Sequence, residues 1–139
     1  MSQLSCILYL SSANGPQSDQ ALRSILDQSR ANNARHEVTG VLCAGGGHYI
    51  QVLEGQEHHI LKLYLKISED PRHKDCTLIG IAPLKERLFK DWSMGYIEKS
   101  TEAMAARREE LLNYLQRQEM GPELVKAMQR FVQMLRESD

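Results

Sequence analysis

The stretch His48-Tyr49-Ile50-Gln51-Val52-Leu53 is the part of the chain that predicts the fold most directly. Its side chains alternate as in a strand: Tyr49, Gln51 and Leu53 share one face, while Ile50 and Val52 lie on the other. Residues 38–44 predict a second strand, and Gly45-Gly46-Gly47 between the two predicts a hairpin. Gln51 is therefore a polar residue flanked by two candidates for the core.

A strand is also predicted for residues 4–10, before the hairpin. Ile7 and Tyr9 lie on one of its faces and Cys6 and Leu8 on the other. Because both faces are largely apolar, we expect a central strand that is covered on both sides.

The remaining segments complete an α+β pattern. A helix capped by Ser18 or Asp19 is predicted to run to about Asn33, and a second helix covers Glu57–Glu69. Further strands are predicted for residues 77–82 and 92–98. The resulting order, β-α-β-β-α-β-β, is the ferredoxin-like sandwich with one added strand, in which two helices cover one face of a mainly antiparallel sheet.

Two additional C-terminal helices are predicted to follow, over residues 101–120 and 122–136. We therefore expect residues 1–100 to form one domain and residues 101–139 to form a helical extension. This extension either packs on the open sheet face or mediates contacts with a second copy or a partner. A homo-oligomer is expected, since symmetric dimers are the commonest assemblies.

Composition excludes several classes of protein. With 139 residues the chain favours one domain, and its net charge of −1 argues against direct binding of nucleic acid. The sequence shows neither a membrane-spanning segment nor a signal peptide, so we expect a cytoplasmic protein. Three widely spaced cysteines and five histidines show no ligand pattern, so no metal site is predicted.

Polar residues at positions expected to face the core point to an interior ligand. The predicted site takes residues from both helices and from the sheet: Ile25, Ser29, Asn32, Asn33, Lys66, Ile67, Asp70, Arg72 and His73, together with Tyr9, Gln51, Trp92 and Met94. Each has an ordinary structural explanation when taken alone, such as a core tyrosine for Tyr9 or a helix end for Asn33. Together they predict an α+β domain with an interior ligand slot.

Three spaced segments narrow this hypothesis. Asn32-Asn33-Ala34-Arg35, Gln51-Val52-Leu53-Glu54-Gly55 and Phe89-Lys90-Asp91-Trp92-Ser93-Met94-Gly95, in this order, resemble the BLUF family of blue-light sensors over about residues 4–98. The resemblance implies a flavin, usually FAD, held non-covalently between the two N-terminal helices. Ile25 and Ile67 would form the walls of its slot, and Lys66 and Arg72 would serve its carbonyls and its phosphate-bearing tail.

The resemblance also implies roles for the photoactive residues. The tyrosine matching Tyr9 donates an electron and a proton to the excited flavin, and the glutamine matching Gln51 bridges the two and rearranges. The strand carrying Trp92 and Met94 then conveys the change to the surface. The chain resembles the short stand-alone BLUF type, which is not an enzyme and signals through a separate protein.

The sequence also allows two other functions. The first is a small flavin oxidoreductase, although Gly45-Gly46-Gly47 sits in a hairpin and does not open a helix as a nicotinamide-binding loop does. The second is a light-inert interaction module whose working surface is the helix predicted for residues 122–136.

Overall fold

The structure is a computed structural model that describes residues 4–13, 19–90 and 93–116, and in this part of the chain it contains five strands and three helices. They are β1 (Leu4–Ala13), α1 (Asp19–Arg35), β2 (Thr39–Gly45), β3 (His48–Gln56), α2 (Glu57–Glu69), β4 (His73–Pro83), β5 (Gly95–Glu98) and α3 (Thr101–Gln116). This order confirms the predicted ferredoxin-like arrangement with an added strand.

The strands form one sheet in the order β4-β1-β3-β2-β5. The pairs β1–β3, β1–β4 and β2–β3 are antiparallel, whereas β5 pairs with β2 in parallel. Tyr9 on β1 lies directly opposite Gln51 on β3 in this register. The two residues predicted to act together are therefore cross-strand neighbours at the centre of the sheet.

Both faces of the sheet are covered, as the alternation predicts. On the α1/α2 face, Ile7 and Leu53 pack with Leu26 of α1 and Ile60 of α2. On the other face, which we call the α3 face, the cluster includes the following residues of the sheet and of α3: Cys6, Leu8, Leu10, Ile50, Val52, Met104 and Leu111. The first C-terminal helix thus lies on the sheet face that the sequence left open.

Some predicted boundaries shift. The strand predicted from Thr77 begins at His73, because β4 pairs with the end of β1 across two irregularities in the register. Asp75 lies in this stretch with a positive φ of 54°. The last strand begins at Gly95 and not at residue 92. Trp92 and the helix predicted for residues 122–136 lie outside the described residues.

The hairpin requires glycine in its turn and at Gly45, where the backbone of Lys99 lies close to the hairpin. Gly46 and Gly47 have φ values of 59° and 81°, in the left-handed region that favours glycine. At Gly45 a Cβ atom would lie 2.3 Å from the carbonyl oxygen of Lys99, so a side chain there would push away the segment leading into α3.

Within residues 4–13, 19–90 and 93–116, no helix is long and apolar enough to cross a membrane. The same residues contain no group of acidic, histidine or cysteine side chains that could hold a metal ion.

Candidate functional site

Tyr9 and Gln51 form a buried pair on the α1/α2 face. The Tyr9 hydroxyl donates a hydrogen bond to Oε1 of Gln51. Burial, with smaller contributions from Cys76 and Tyr64, raises the pKa of Tyr9 well above its ordinary value. The hydroxyl therefore remains protonated and keeps the Gln51 carbonyl oxygen as its acceptor.

The other end of the Gln51 amide points to Met94. Its Nε2 donates to the thioether sulfur of Met94 at 3.5 Å. A thioether is a weak acceptor, so this amide N–H can make a stronger hydrogen bond if a better acceptor is present. Gln51 thus joins a phenol on one side to the segment before β5 on the other.

Asn33 stands near the C-terminal end of α1 and is only 1% exposed. Its Nδ2 donates to the carbonyl oxygen of Ser93 at 2.6 Å, while its buried Oδ1 has no partner among the described residues. An unpaired buried acceptor is costly, so a ligand that donates a hydrogen bond would be favoured here. One turn earlier, Arg30 Nε donates to the carbonyl oxygen of Met94 at 3.0 Å.

A second polar group lies around Tyr49 at the start of β3. The Tyr49 hydroxyl is buried and has no partner among the described residues, and burial raises its pKa to about 12. Its ring lies 5.3 Å from that of His73, whose Nδ1 is 3.3 Å from Oγ of Ser11. Burial lowers the pKa of His73, which favours the neutral imidazole.

Asp70 and Arg72, just after α2, bind each other. Arg72 donates through Nε and Nη2 to the Asp70 carboxylate, with a shortest distance of 2.6 Å, and Nη2 also donates to Gln28 of α1. The hydrogen bonds from Arg72 lower the pKa of Asp70. The guanidinium expected to serve a flavin is thus engaged with side chains of the protein, and its role toward a flavin stays a prediction.

The structure places the predicted site residues at three depths. Buried are Tyr9, Ile25, Asn33, Gln51 and Met94; half-buried are Ser29, Asn32, Ile67, Asp70, Arg72 and His73; and Lys66 is exposed. Hydrogen bonds join Tyr9, Gln51 and Met94 directly and connect Asn33 to the neighbouring Ser93. Trp92, predicted to belong to this group, lies outside the described residues.

Sequence reasoning missed three contacts of this site. The Tyr64 ring meets that of Tyr9 edge-on at 4.9 Å, Arg30 donates to the Met94 carbonyl, and Asn33 donates to the Ser93 carbonyl. Tyr64 lies on the apolar stripe of α2, so its position was predictable although its contact was not. For Arg30, an arginine on an exposed helix position, the sequence carries no signal.

An open groove of about 550 Å³ lies beside the C-terminal end of α1. It is lined by Asn33, Ala34, Glu37, Val38, Thr39, Arg87, Lys90 and Ser93. It shares Asn33 with the predicted slot but contains neither Ile67 nor Arg72, so it is distinct from the space between α1 and α2.

The polar groups fit the edge of a flavin ring. That edge carries an N–H flanked by carbonyls, which matches the unpaired Asn33 Oδ1 as acceptor and the Gln51 amide as donor. Ile25 of α1 and Ile67 of α2 are apolar, as the walls of a slot for a flat ring must be. The residues present therefore suit the cofactor that the motif implies.

Comparisons with known proteins agree with the resemblance to the BLUF family. The profile of the family described as sensors of blue-light using FAD, BLUF, matches residues 4–95. The beta subunit of photoactivated adenylate cyclase from Euglena gracilis is 36% identical over 104 residues, which are 74% of this chain and 12% of that protein. The chain thus spans about one eighth of this curated relative.

Solved structures show the same fold. The dark-state structure of the BLUF protein BlrB is 30% identical with a TM-score of 0.71, covering 95% of this chain and 96% of that one. The ground state of BlsA is 25% identical with a TM-score of 0.73, covering 98% and 90%. A bacterial light-regulated adenylyl cyclase is 29% identical with a TM-score of 0.66, covering 83% of this chain and 34% of that one. Because the family profile covers most of its length and solved BLUF structures share its fold, the chain belongs to the BLUF family of blue-light sensors that use FAD.

Proposed function

We propose that this chain is a blue-light receptor that binds FAD non-covalently between α1 and α2 and signals to a separate protein without turnover of its own. The observation that carries the proposal is the buried series of hydrogen bonds from Tyr9 through Gln51 to Met94. It leads from the predicted flavin site to the segment that enters β5.

The flavin, when bound, supplies the absorption of blue light and an acceptor for one electron and one proton. Tyr9 is the donor: its phenol is buried, protonated and hydrogen-bonded to Gln51. Gln51 then exchanges the positions of its amide oxygen and nitrogen, so that it becomes a donor toward Tyr9 and an acceptor toward Met94. The electron and the proton return to Tyr9 while Gln51 keeps its new orientation, so no net redox change remains. A two-state element of this kind can bias a larger equilibrium.

The output follows from what holds Ser93 and Met94. Both carbonyl groups accept hydrogen bonds from α1, and the Met94 sulfur accepts one from Gln51. When Gln51 loses its donor toward Met94, this segment loses one of its constraints. We infer that β5, and through it the start of α3, relays the change to a second copy or to a partner protein.

FAD is proposed as the flavin because the family description names it. One neighbour, BlrP1 from Klebsiella pneumoniae, is described with FMN (27% identical, TM-score 0.64, covering 80% of this chain and 30% of that one). Chromatography of the flavin released by denaturing the purified protein distinguishes the two. The cytoplasmic location stays a prediction.

The test is an absorption spectrum of the flavin-loaded protein in darkness and under blue light. We expect a shift to longer wavelength that recovers in the dark without bleaching. Tyr9→Phe should abolish the shift, whereas Tyr64→Phe, which keeps the edge-on ring contact but removes the neighbouring hydroxyl, should retain it. An intact shift in Tyr9→Phe would contradict the proposal, and steady oxidation of NADH would favour an oxidoreductase.

A further inference from the structure

The chain between β4 and β5 is described at residues 84–90 and 93–94, and these two parts contact opposite faces of the sheet. Leu84 and Phe89 belong to the apolar cluster on the α3 face, whereas Met94 belongs to the cluster on the α1/α2 face. We call these residues the connector. Its two halves are held by different groups.

The first half is held by Glu54 of β3. Its side chain is fully buried, and it lies three residues after Gln51, so that the two side chains point to opposite faces of the sheet. Its carboxylate accepts hydrogen bonds from the backbone N–H of Leu88 at 2.7 Å, the N–H of Phe89 at 3.0 Å and the Thr39 hydroxyl at 2.9 Å. A buried carboxylate is tolerated when several donors replace its water.

Arg87 strengthens the same attachment. Its Nη1 donates to the Thr39 hydroxyl at 2.8 Å and to the Glu54 carbonyl oxygen at 3.1 Å, and its Nη2 donates to the carbonyl oxygen of Glu37 at 2.6 Å. Residues 87–89 are thus attached to β2, to β3 and to the turn between α1 and β2. None of these bonds involves Gln51 or its partners.

The second half is held by groups that belong to the predicted photoactive site. Asn33 and Arg30 bind the carbonyls of Ser93 and Met94, and Gln51 binds the Met94 sulfur. A change at Gln51 therefore acts directly on Met94, whereas Leu88 and Phe89 have no hydrogen bond to Gln51 among the described residues.

We propose that Glu54 is a positioning residue: its buried carboxylate fixes the first half of the connector through Leu88 and Phe89, so that a rearrangement of Gln51 displaces only the second half and is directed into β5. The light-driven part of this inference rests on the proposed function. The attachment itself is a property of the dark protein and can be tested separately. Without Glu54, the same rearrangement would spread back along the connector toward β4.

Amide hydrogen exchange of the flavin-loaded full chain, in darkness and under blue light, tests the inference. In the dark, Glu54→Gln should speed exchange by roughly 10- to 100-fold at whichever of Leu88 and Phe89 faces the amide NH₂, because that backbone N–H loses its acceptor while the remaining oxygen keeps the other. Thr39→Val, which removes one of the three donors but keeps the carboxylate, should give a smaller acceleration. Glu86→Gln, an exposed carboxylate in the same connector, should give none.

Exchange measured under blue light then shows in which direction along the connector the change spreads. In the natural protein, exchange should change over residues 93–98 and stay constant at Leu88 and Phe89. In Glu54→Gln the light-induced change should extend over residues 84–90, while the red shift of the flavin keeps its size. This combination separates a positioning role from general loss of structure, which would alter the spectrum as well.

Two results would overturn the inference. One is unchanged protection of Leu88 and Phe89 in both Glu54→Gln and Thr39→Val. The other is a light-induced change at Leu88 and Phe89 of the natural protein as large as that at Met94. If Glu54→Gln fails to fold, the dark-state protection of Leu88 and Phe89 in Thr39→Val tests the attachment by itself. A natural protein without a red shift would instead refute the proposed function, and the dark-state exchange would still decide the role of Glu54.

Discussion

On the α3 face of the sheet, the buried carboxylate of Glu54 accepts three hydrogen bonds from the protein itself. On the α1/α2 face, Asn33 Oδ1 and the Tyr49 hydroxyl are equally buried but have no partner among the described residues. Gln51, on the same face, gives its amide N–H to a sulfur atom. The protein itself therefore satisfies the Glu54 carboxylate but not Asn33 Oδ1 or the Tyr49 hydroxyl. Arg108 Nη1 of α3 is a further buried atom without a partner among the described residues.

This difference in hydrogen bonding separates buried polar residues that stabilise the fold from those that bind a ligand. A buried group whose hydrogen bonds are complete holds the fold together. A buried group that lacks a partner lowers stability unless a ligand completes it. By this criterion we propose that Glu54 attaches the connector and that Asn33 meets the cofactor. Gln51, only three residues from Glu54, has partners at both ends of its amide, but the thioether of Met94 is a weak one.

The largest expected effect is on the α3 face. Glu54→Met should lower the free energy of unfolding of the flavin-free protein by about 3 kcal/mol, because two buried backbone N–H groups lose their acceptor. Chemical denaturation measures this change. Glu86→Met, at an exposed position, should stay within about 0.5 kcal/mol of the natural protein. Equal losses in both variants would remove the contrast between the two faces.

Asn33→Ala should affect the cofactor more than the fold. The flavin-free protein loses the hydrogen bond to Ser93 at a cost of about 1 kcal/mol, while flavin affinity should fall about tenfold or more because the ring loses a partner. A fluorescence titration with FAD measures the affinity. Asn113→Ala, an exposed asparagine of α3, serves as the control and should leave the affinity unchanged.

Met94 and Met104 allow a matched comparison across the sheet. Each sulfur accepts a contact at 3.5 Å, from Gln51 Nε2 and from Cys43 Sγ respectively, and each methionine is buried on one face. Replacement of either by leucine conserves volume and should cost less than about 1.5 kcal/mol. Met94→Leu alone should change the dark-recovery rate of the red-shifted state, followed by absorption after a light pulse. A similar change in Met104→Leu would show that recovery depends on packing in general.

The smallest expected effect concerns pH. Burial lowers the pKa of His73 below its ordinary value of 6.5, so the unfolded chain binds this proton more readily than the folded one. The stability contributed by neutral His73 is complete above pH 6.5 and is lost as the pH falls through the lowered pKa. Tm of the natural protein should therefore decrease more between pH 7.5 and 5.5 than that of His73→Gln. His58→Gln, at an exposed position, should follow the natural protein.

Much of the fold was predictable because alternation determines which face each strand residue occupies. Gln51 and Tyr9 were assigned to one face and Ile50 and Val52 to the other, and the structure confirms this. The start of β5 was not predictable. Ser93 and Met94 continue the pattern of the strand, but their carbonyls bond to side chains of α1. The start of β5 therefore depends on side chains of α1 that are distant in sequence.

Within the candidate site, the buried group of Tyr9, Asn33, Gln51 and Met94 was predicted, and the mutual pairing of Asp70 and Arg72 was not. The role of Glu54 was also missed, although a signal was present. Glu54 follows Ile50 and Val52 on a face predicted to be covered, and a charged residue at a covered position requires several donors. The donors themselves come from residues 88 and 89, whose approach only the tertiary structure shows.

The position of β5 at the edge of the sheet has a kinetic consequence. This strand has four residues, its one ladder in the described sheet is the parallel pairing with β2, and β1 by contrast is bonded along both sides. A short strand of this kind can detach as a separate cooperative unit, with an opening free energy far below that of global unfolding. Loss of a single hydrogen bond at Gln51, about 1 kcal/mol, is small relative to the stability of the whole domain and is a larger share of the lower free energy expected for opening of β5. Under the proposed function, absorption of one photon would therefore open or shift β5 while β1 and β3, which carry Tyr9 and Gln51, stay paired.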